Sequence, residues 1–101
     1  MYYRIEALTL PDDAREEFER RAHSAAEVLR GQPGFVERRV YDRVSGDGAA
    51  DVVTIVTWDS LESIDAAGKA IAEHNAATGF DLAGFRKRHG ITGSQGVYAA
   101  R

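Results

Sequence analysis

The sequence contains no cysteine, only two prolines and no long hydrophobic run. Without cysteine, the chain forms no disulfide and no cysteine-ligated zinc site, and it has no thiol nucleophile. A small secreted scaffold normally depends on disulfides, so we expect a cytoplasmic protein. Residues 1–6 lack the basic and apolar regions of a signal peptide, and no segment approaches the length of a transmembrane helix, so we expect no membrane partner.

Basic residues are fewer than acidic ones: 13 Lys and Arg stand against 16 Asp and Glu, for a net charge of −3. Nucleic-acid-binding proteins usually present a basic face, so we expect no nucleic-acid partner. The one basic run, residues 86–89, ends a predicted helix, where it complements the helix dipole. The three histidines lie far apart and have no accompanying carboxylate cluster, so we expect no metal site and no cofactor.

The 101 residues, 44% of them hydrophobic, suit a single domain that spans residues 1–101. Residues 51–58 are rich in β-branched side chains, which favours a strand. Asp13 with Glu16, and Asp59 with Glu62, have the capping-box spacing that opens a helix. Such signals predict strands at residues 2–10, 35–43, 51–58 and 97–100, and helices at residues 13–31, 59–71 and 78–89.

This order of elements predicts an α+β fold of the ferredoxin-like βαββαβ type, with a four-stranded antiparallel sheet and its helices on one face. The strand at residues 51–58 offers apolar side chains to both faces, for example Val53 and Ile55 on one and Val52 and Val56 on the other. An exposed apolar sheet face is rare in a monomer. We therefore expect a homodimer in which two sheets pack face to face.

Two segments resemble the antibiotic biosynthesis monooxygenase family of dimeric α/β barrels. Residues 32–35, Gln-Pro-Gly-Phe, enter the second strand, and residues 56–66, VTWDSLESIDA, place Trp58 just before a capped helix. The resemblance spans nearly the whole chain and implies a homodimer whose sheets form a barrel. Some members oxidise aromatic substrates with O₂ and no cofactor, others degrade haem, and others act on quinones.

The resemblance to the haem-degrading branch is incomplete. That branch implies an Asn on the first strand, where this chain has Glu6 and Ala7, and a Trp within the second helix, where it has alanines. Many other members carry two histidines after the strand-three Trp. The first has no counterpart near Gly68, while His74 corresponds to the second.

The candidate catalytic residues are His74, Tyr41 and Arg39. His74 lies between the predicted second and third helices and has the near-neutral titration of a general base, although a solvent-exposed histidine at a helix C-terminus is the alternative. Tyr41 and Arg39 share a predicted strand face with Glu37 and Phe35 and are candidate oxyanion-stabilising donors.

Arg4 and Glu6 share one face of the first strand. A charged residue on an inward sheet face must be paired or face a wet cavity, so the two indicate either a polar pocket or an ion pair between subunits.

The candidate substrate-binding residues are Trp58, Asn75 and Phe85. Trp58 offers a stacking surface for an aromatic substrate, with a purely structural role as the alternative. The family resemblance implies a cofactor-independent monooxygenase that acts with O₂ on a small aromatic or quinol-type substrate, with these residues as candidates for its site. The alternative is a non-catalytic dimeric module that binds a small ligand or serves only as structure.

Overall fold

Four strands and three α-helices follow one another along the computed structural model, which describes residues 1–101. The elements are β1 (Tyr2–Leu8), α1 (Arg15–Arg30), β2 (Phe35–Asp42), β3 (Val52–Trp58), α2 (Leu61–Thr78), α3 (Leu82–His89) and β4 (Gly93–Tyr98). The strands form one antiparallel sheet in the order β2-β3-β1-β4. This is the predicted ferredoxin-like α+β fold.

The strand register places charged side chains in rows across the helix-facing side of the sheet. Val56 of β3 lies between Arg4 of β1 and Arg38 of β2. In the adjacent row of the same face, Thr54 pairs with Glu6. Alternation along a strand turns side chains two residues apart to the same face, so Arg4 and Glu6 both point towards the helices.

A β-bulge near the start of β2 corrects one predicted face. Sequence alternation grouped Phe35 with Glu37, Arg39 and Tyr41, but the register shifts between Phe35 and Glu37. A bulge inserts one extra residue, so side chains beyond it change face relative to those before it. The Phe35 ring therefore packs edge-on against Trp58, with 5.7 Å between centroids, while Glu37, Arg39 and Tyr41 lie on the open face.

The buried residues form two apolar clusters. The larger consists of Leu8, Leu10, Ala14, Val52, Phe85 and Ile91, and the smaller of Val56, Trp58 and Ala67. The smaller cluster joins β3 to α2, and Phe85 brings α3 into the larger one. Members of both clusters contribute to the walls of one internal cavity.

The turn before β2 is locked against the start of α2. Gly34 has a φ of +84°, a conformation that favours glycine, and its carbonyl accepts a hydrogen bond from the Asp59 N–H at 3.0 Å. A Cβ at residue 34 would lie 2.6 Å from the Ser63 Cβ. The two sequence segments that carry the family resemblance therefore contact each other in space.

Both predicted capping boxes are wrong in detail. The Ser60 hydroxyl, not the Asp59 carboxylate, accepts from the Ser63 N–H at the start of α2, at 3.1 Å. Asp13 lies in a short 3-10 turn before α1, and no side chain caps that helix. The capping-box spacing occurs by chance among acidic residues, so it locates a helix start better than it identifies the cap.

The predicted ends of the last elements also shift. α2 extends to Thr78 and ends at Gly79, which has a φ of +72°, and α3 begins only after Asp81, whose carboxylate accepts from the Gly84 N–H at 3.0 Å. β4 covers Gly93–Tyr98 instead of residues 97–100. Its first residues are Gly, Ser and Gln, which carry little strand propensity, and pairing with β1 imposes the extended form.

Candidate functional site

A cavity of about 300 Å³ separates the sheet from the helices. Of its 21 lining residues, 13 are hydrophobic, so the interior suits an apolar ring system. The helices supply most of the apolar wall, including Ala22, Ala25, Leu29, Ile64, Ile71 and Leu82. The alanines among these residues have short side chains and leave part of the space open.

Charged side chains form a second part of the wall, and they are mostly positive. Four arginines and a single glutamate line the cavity: Arg4, Arg21, Arg38, Arg86 and Glu6. The whole chain has a net charge of −3, so the cavity has the opposite sign to the molecule as a whole. A positive low-dielectric cleft concentrates anions, which gives the cavity an electrostatic preference for a negatively charged ligand. The wet-cavity interpretation of Arg4 and Glu6 is the one the structure supports.

Glu6 and Arg86 form an ion pair in this wall. The Arg86 Nη2 donates to the Glu6 Oε2 at 2.8 Å, and the two side chains are only 31% and 17% exposed. The Arg86 Nε is buried and has no hydrogen-bond partner. The pair joins α3 to β1 and places a carboxylate and a guanidinium side by side at the cavity surface.

Two cavity arginines, Arg38 and Arg21, have a guanidinium with neither a hydrogen bond nor an ion pair. Arg21 lies 4.2 Å above the Phe80 ring, whereas Arg4 donates to the Gln95 Oε1. Burial lowers the pKa of Arg38 from the ordinary value, the nearby Arg30 lowers it further, and Glu6 acts in the opposite direction. Arg38 thus brings to the cavity a positive charge that has no direct partner.

The three predicted substrate-binding residues all line this cavity. Trp58, Asn75 and Phe85 come from β3, α2 and α3 and converge on it. Trp58 is 1% exposed, and its Nε1 has no hydrogen-bond partner. An indole N–H that is buried without an acceptor is unusual, because tryptophan normally finds a partner when buried. That these residues bind substrate stays a prediction.

The three predicted catalytic residues lie outside the cavity wall. His74 precedes Asn75 on α2, but its Nε2 is 2.9 Å from the Ser24 Oγ, in a contact between α2 and α1. Arg39 and Tyr41 lie on the open face of the sheet. The Arg39 Nε donates to the Glu37 Oε1 at 3.0 Å, and this hydrogen bond raises the pKa of Arg39. The structure does not bring the three together.

Sequence reasoning missed Arg38 and Arg86 as cavity residues. Arg86 was attributed to the helix dipole, whereas its side chain reaches from α3 to β1. One signal was present in the sequence: an inward-facing Glu6 requires a cation, and the basic run at residues 86–89 follows the apolar Phe85. Arg38 could not be assigned without the bulge that sets the faces of β2.

No group of three or more His, Cys, Asp or Glu side chains is arranged to hold a metal ion. The cavity wall contains no histidine, cysteine, methionine or tyrosine, so it offers none of the usual axial ligands of haem. The fit of the cavity to haem is therefore poor. None of the helices is long and apolar enough to cross a membrane.

Solved structures with the same fold are found over nearly the entire chain. SnoaB, a cofactor-independent oxygenase from Streptomyces nogalater, has a TM-score of 0.72 and 22% identity, covering 99% of this chain and 92% of SnoaB. The haem degrader MhuD from Mycobacterium tuberculosis has a TM-score of 0.66 and 22% identity, covering 99% and 95%. HapK from Hahella chejuensis has a TM-score of 0.66 and 14% identity, covering 100% and 93%. At these identities the likeness establishes the fold alone.

Sequence comparison gives the family. No curated protein matches the chain at the sequence level. The sequence model of the antibiotic biosynthesis monooxygenases, in contrast, matches residues 1–77, which include β1 to β3, nearly all of α2 and both segments that carry the resemblance. The chain therefore belongs to the antibiotic biosynthesis monooxygenase family.

Proposed function

We propose that the protein is a cofactor-independent monooxygenase that oxidises a small aromatic or quinol-type substrate with O₂ inside the cavity. Membership of the family supports the reaction class. The observation that carries the proposal is the Glu6–Arg86 pair, which places a proton acceptor and a fixed positive charge in the wall of an otherwise mainly apolar cavity. Removal of a proton from a hydroxylated aromatic ring requires both groups.

The chemistry starts at an acidic C–H or O–H of the bound ring. Glu6 accepts the proton, and the guanidinium of Arg86 stabilises the resulting anion. The electron-rich anion transfers one electron to O₂, and the resulting substrate radical and superoxide combine to a peroxide anion. This anion takes the proton back from Glu6 and becomes a hydroperoxide. Loss of water leaves a carbonyl group, so a CH₂ group and O₂ become C=O and H₂O. One oxygen atom enters the product, and no external reductant is needed.

His74, Tyr41 and Arg39 stay in the proposal as candidates outside the cavity wall. His74 is one residue from Asn75, and rotation of the imidazole away from Ser24 is needed before it can meet a ligand. If His74 takes part, His74→Ala impairs activity more than His23→Ala or His89→Ala. His23 contacts the exposed Glu27, and His89 contacts the half-buried Glu17.

The alternative function is a non-catalytic ligand-binding module. The Glu6–Arg86 contact favours it in one respect, because the guanidinium already occupies the Glu6 Oε2, at 2.8 Å. The two functions differ in a single observable, since only the oxygenase consumes O₂.

Oxygen uptake tests the proposal. Wild-type protein is mixed with anthrone, whose CH₂ group lies between two aromatic rings, and with naphthohydroquinones, and uptake is followed with an oxygen electrode against the uncatalysed rate. Glu6→Gln is nearly isosteric but accepts no proton, and we expect it to slow uptake about 100-fold or more. Glu62→Gln, an exposed residue on α2, is the matched control and should behave as wild type.

Two outcomes would count against the oxygenase. Uptake no faster than the uncatalysed rate with every substrate favours the binding module. Catalysed uptake that persists in Glu6→Gln but is lost in His74→Ala would show that His74, and not Glu6, is the general base.

A further inference from the structure

The buried polar atoms left without a partner both belong to the cavity wall, and both are hydrogen-bond donors. The Trp58 Nε1 and the Arg86 Nε are buried and unpaired, and the Arg38 guanidinium has no hydrogen bond or ion pair. Indole and guanidinium nitrogens donate and do not accept. A ligand that satisfies this wall therefore brings acceptor oxygens, and a negative charge suits it best.

Among the four arginines, Arg38 is the one with no hydrogen bond, ion pair or aromatic contact. Arg86 is held by Glu6, Arg4 donates to Gln95, and Arg21 lies over Phe80. Arg38 is also the one half-buried residue between Val36 and Asp42 on β2, where its neighbours are exposed. Burial and the nearby Arg30 lower the pKa of Arg38 and Glu6 opposes them, in keeping with a half-buried charge that has no direct partner.

The strand register gives the spacing between the row of Arg38 and the row of Glu6 along the sheet. Arg38 pairs with Val56, and Trp58 follows two residues later on the same face of β3. Glu6 pairs with Thr54, one row in the other direction. Two residues along a strand span about 7 Å, so the row of Arg38 and the row of Glu6 are separated by roughly the length of one or two fused aromatic rings.

We propose that the ligand of this cavity is an aromatic carboxylate, with its carboxylate bound by Arg38 and the Trp58 N–H and its ring extending towards the Glu6–Arg86 pair. Arg38 supplies the charge and a forked pair of donors, and Trp58 supplies one further donor. This arrangement fixes which end of the ring faces Glu6. Arg38 therefore determines the specificity for a carboxylate and the orientation of the ligand in the cavity. The inference deepens the proposed function, because it names the substrate class of the same cavity.

Calorimetric titration at low salt tests this with one pair of ligands. 2-Naphthoate and its methyl ester have the same ring, and only the first is charged. We expect the wild type to bind 2-naphthoate at least about tenfold more tightly than the ester, as a charge-assisted hydrogen bond predicts. Arg38→Met should abolish that preference, and Arg38→Lys should restore part of it.

The control is Arg20→Met, which removes an exposed arginine of α1 that contacts Glu16 and does not line the cavity. It should keep the full preference for 2-naphthoate. Circular dichroism and unfolding curves for each variant show whether it is folded. Trp58, the single tryptophan, reports ligand entry by its fluorescence.

Equal affinity for the acid and the ester, binding of neither, or an unchanged preference in folded Arg38→Met would overturn the inference. Because the titration does not depend on turnover, it is independent of the oxygen-uptake experiment. Arg38-dependent binding without O₂ uptake would retain the carboxylate site and reject the oxygenase. Turnover of neutral and charged substrates alike, unaffected by Arg38→Met, would retain the oxygenase and reject the carboxylate site.

Discussion

Gly34 is the residue whose replacement tests the contact between the two family segments. Its φ of +84° strains any other residue, and an added Cβ would also collide with Ser63. Gly79 has a similar φ of +72°, but nothing lies within 4 Å of its added Cβ. We expect Gly34→Ala to lower the free energy of unfolding by about 2 kcal/mol more than Gly79→Ala, as measured by urea denaturation. Equal losses would show that the close approach to Ser63 is absent.

Asp51 gives a pH dependence with a defined sign. The Leu10 N–H donates to its carboxylate at 2.7 Å, and this bond, with a smaller contribution from Arg43, holds its pKa below the ordinary 3.8 against the opposing effect of desolvation. The stabilisation is therefore present above pH 3.8 and is lost as the pH falls through the lower folded-state pKa.

Replacement of Asp51 tests this dependence. Asp51→Asn should make the free energy of unfolding less sensitive to pH below about pH 4, as followed by urea denaturation in an acid series. Asp65→Asn, an exposed position on α2, is the control. If Asp51→Asn and the wild type have the same slope in this range, the carboxylate does not hold the Leu10 N–H.

At the residue scale, sequence reasoning found the aromatic part of the site better than the charged part. Trp58 at the end of β3, Asn75 near the end of α2 and Phe85 in α3 all line the cavity. Arg39 and Tyr41 lie outside, because a bulge, which an alternation pattern cannot reveal, decides their face.

At the scale of single elements, the caps of the helices give the clearest test. The Ser60 hydroxyl accepts from the Ser63 N–H, whereas Asp13 makes no capping hydrogen bond. We expect Ser60→Ala to cost about 1 kcal/mol of unfolding free energy and Asp13→Ala no more than about 0.5 kcal/mol. The comparison uses urea unfolding of both variants, and a larger loss for Asp13→Ala would restore the predicted capping box.

The order and type of the elements were readable because long periodic segments dominate them. α1 and β3 follow their expected patterns closely. β4 was only partly located, since Gly93, Ser94 and Gln95 have no strand signal of their own and depend on β1 for their conformation. The break between α2 and α3 was predicted too early, at residues 72–77, because the apolar spacing was followed only to Ile71, whereas Gly79 ends α2 and the Asp81 cap begins α3.

At the scale of the whole molecule, the open face of the sheet predicts the homodimer. It carries Tyr3, Ile5, Val53 and Ile55, and no helix covers it. Tyr98 at the edge is 55% exposed. Pairing of two such faces would bury this apolar surface. Sedimentation at micromolar concentration should give twice the chain mass of 11.1 kDa. A folded monomer would contradict the dimer.

Oxygenation in a cavity built from the chain's own side chains is the central claim, and isotope labelling tests it most directly. Wild-type protein, shown by metal analysis and absorbance to be free of metal and haem, is given anthrone under ¹⁸O₂, with Glu6→Gln and buffer alone as references. We expect product with one ¹⁸O atom, together with labelled water, to form at a rate well above both references. Product formed no faster than in buffer, or an oxygen atom drawn from the solvent, would contradict it.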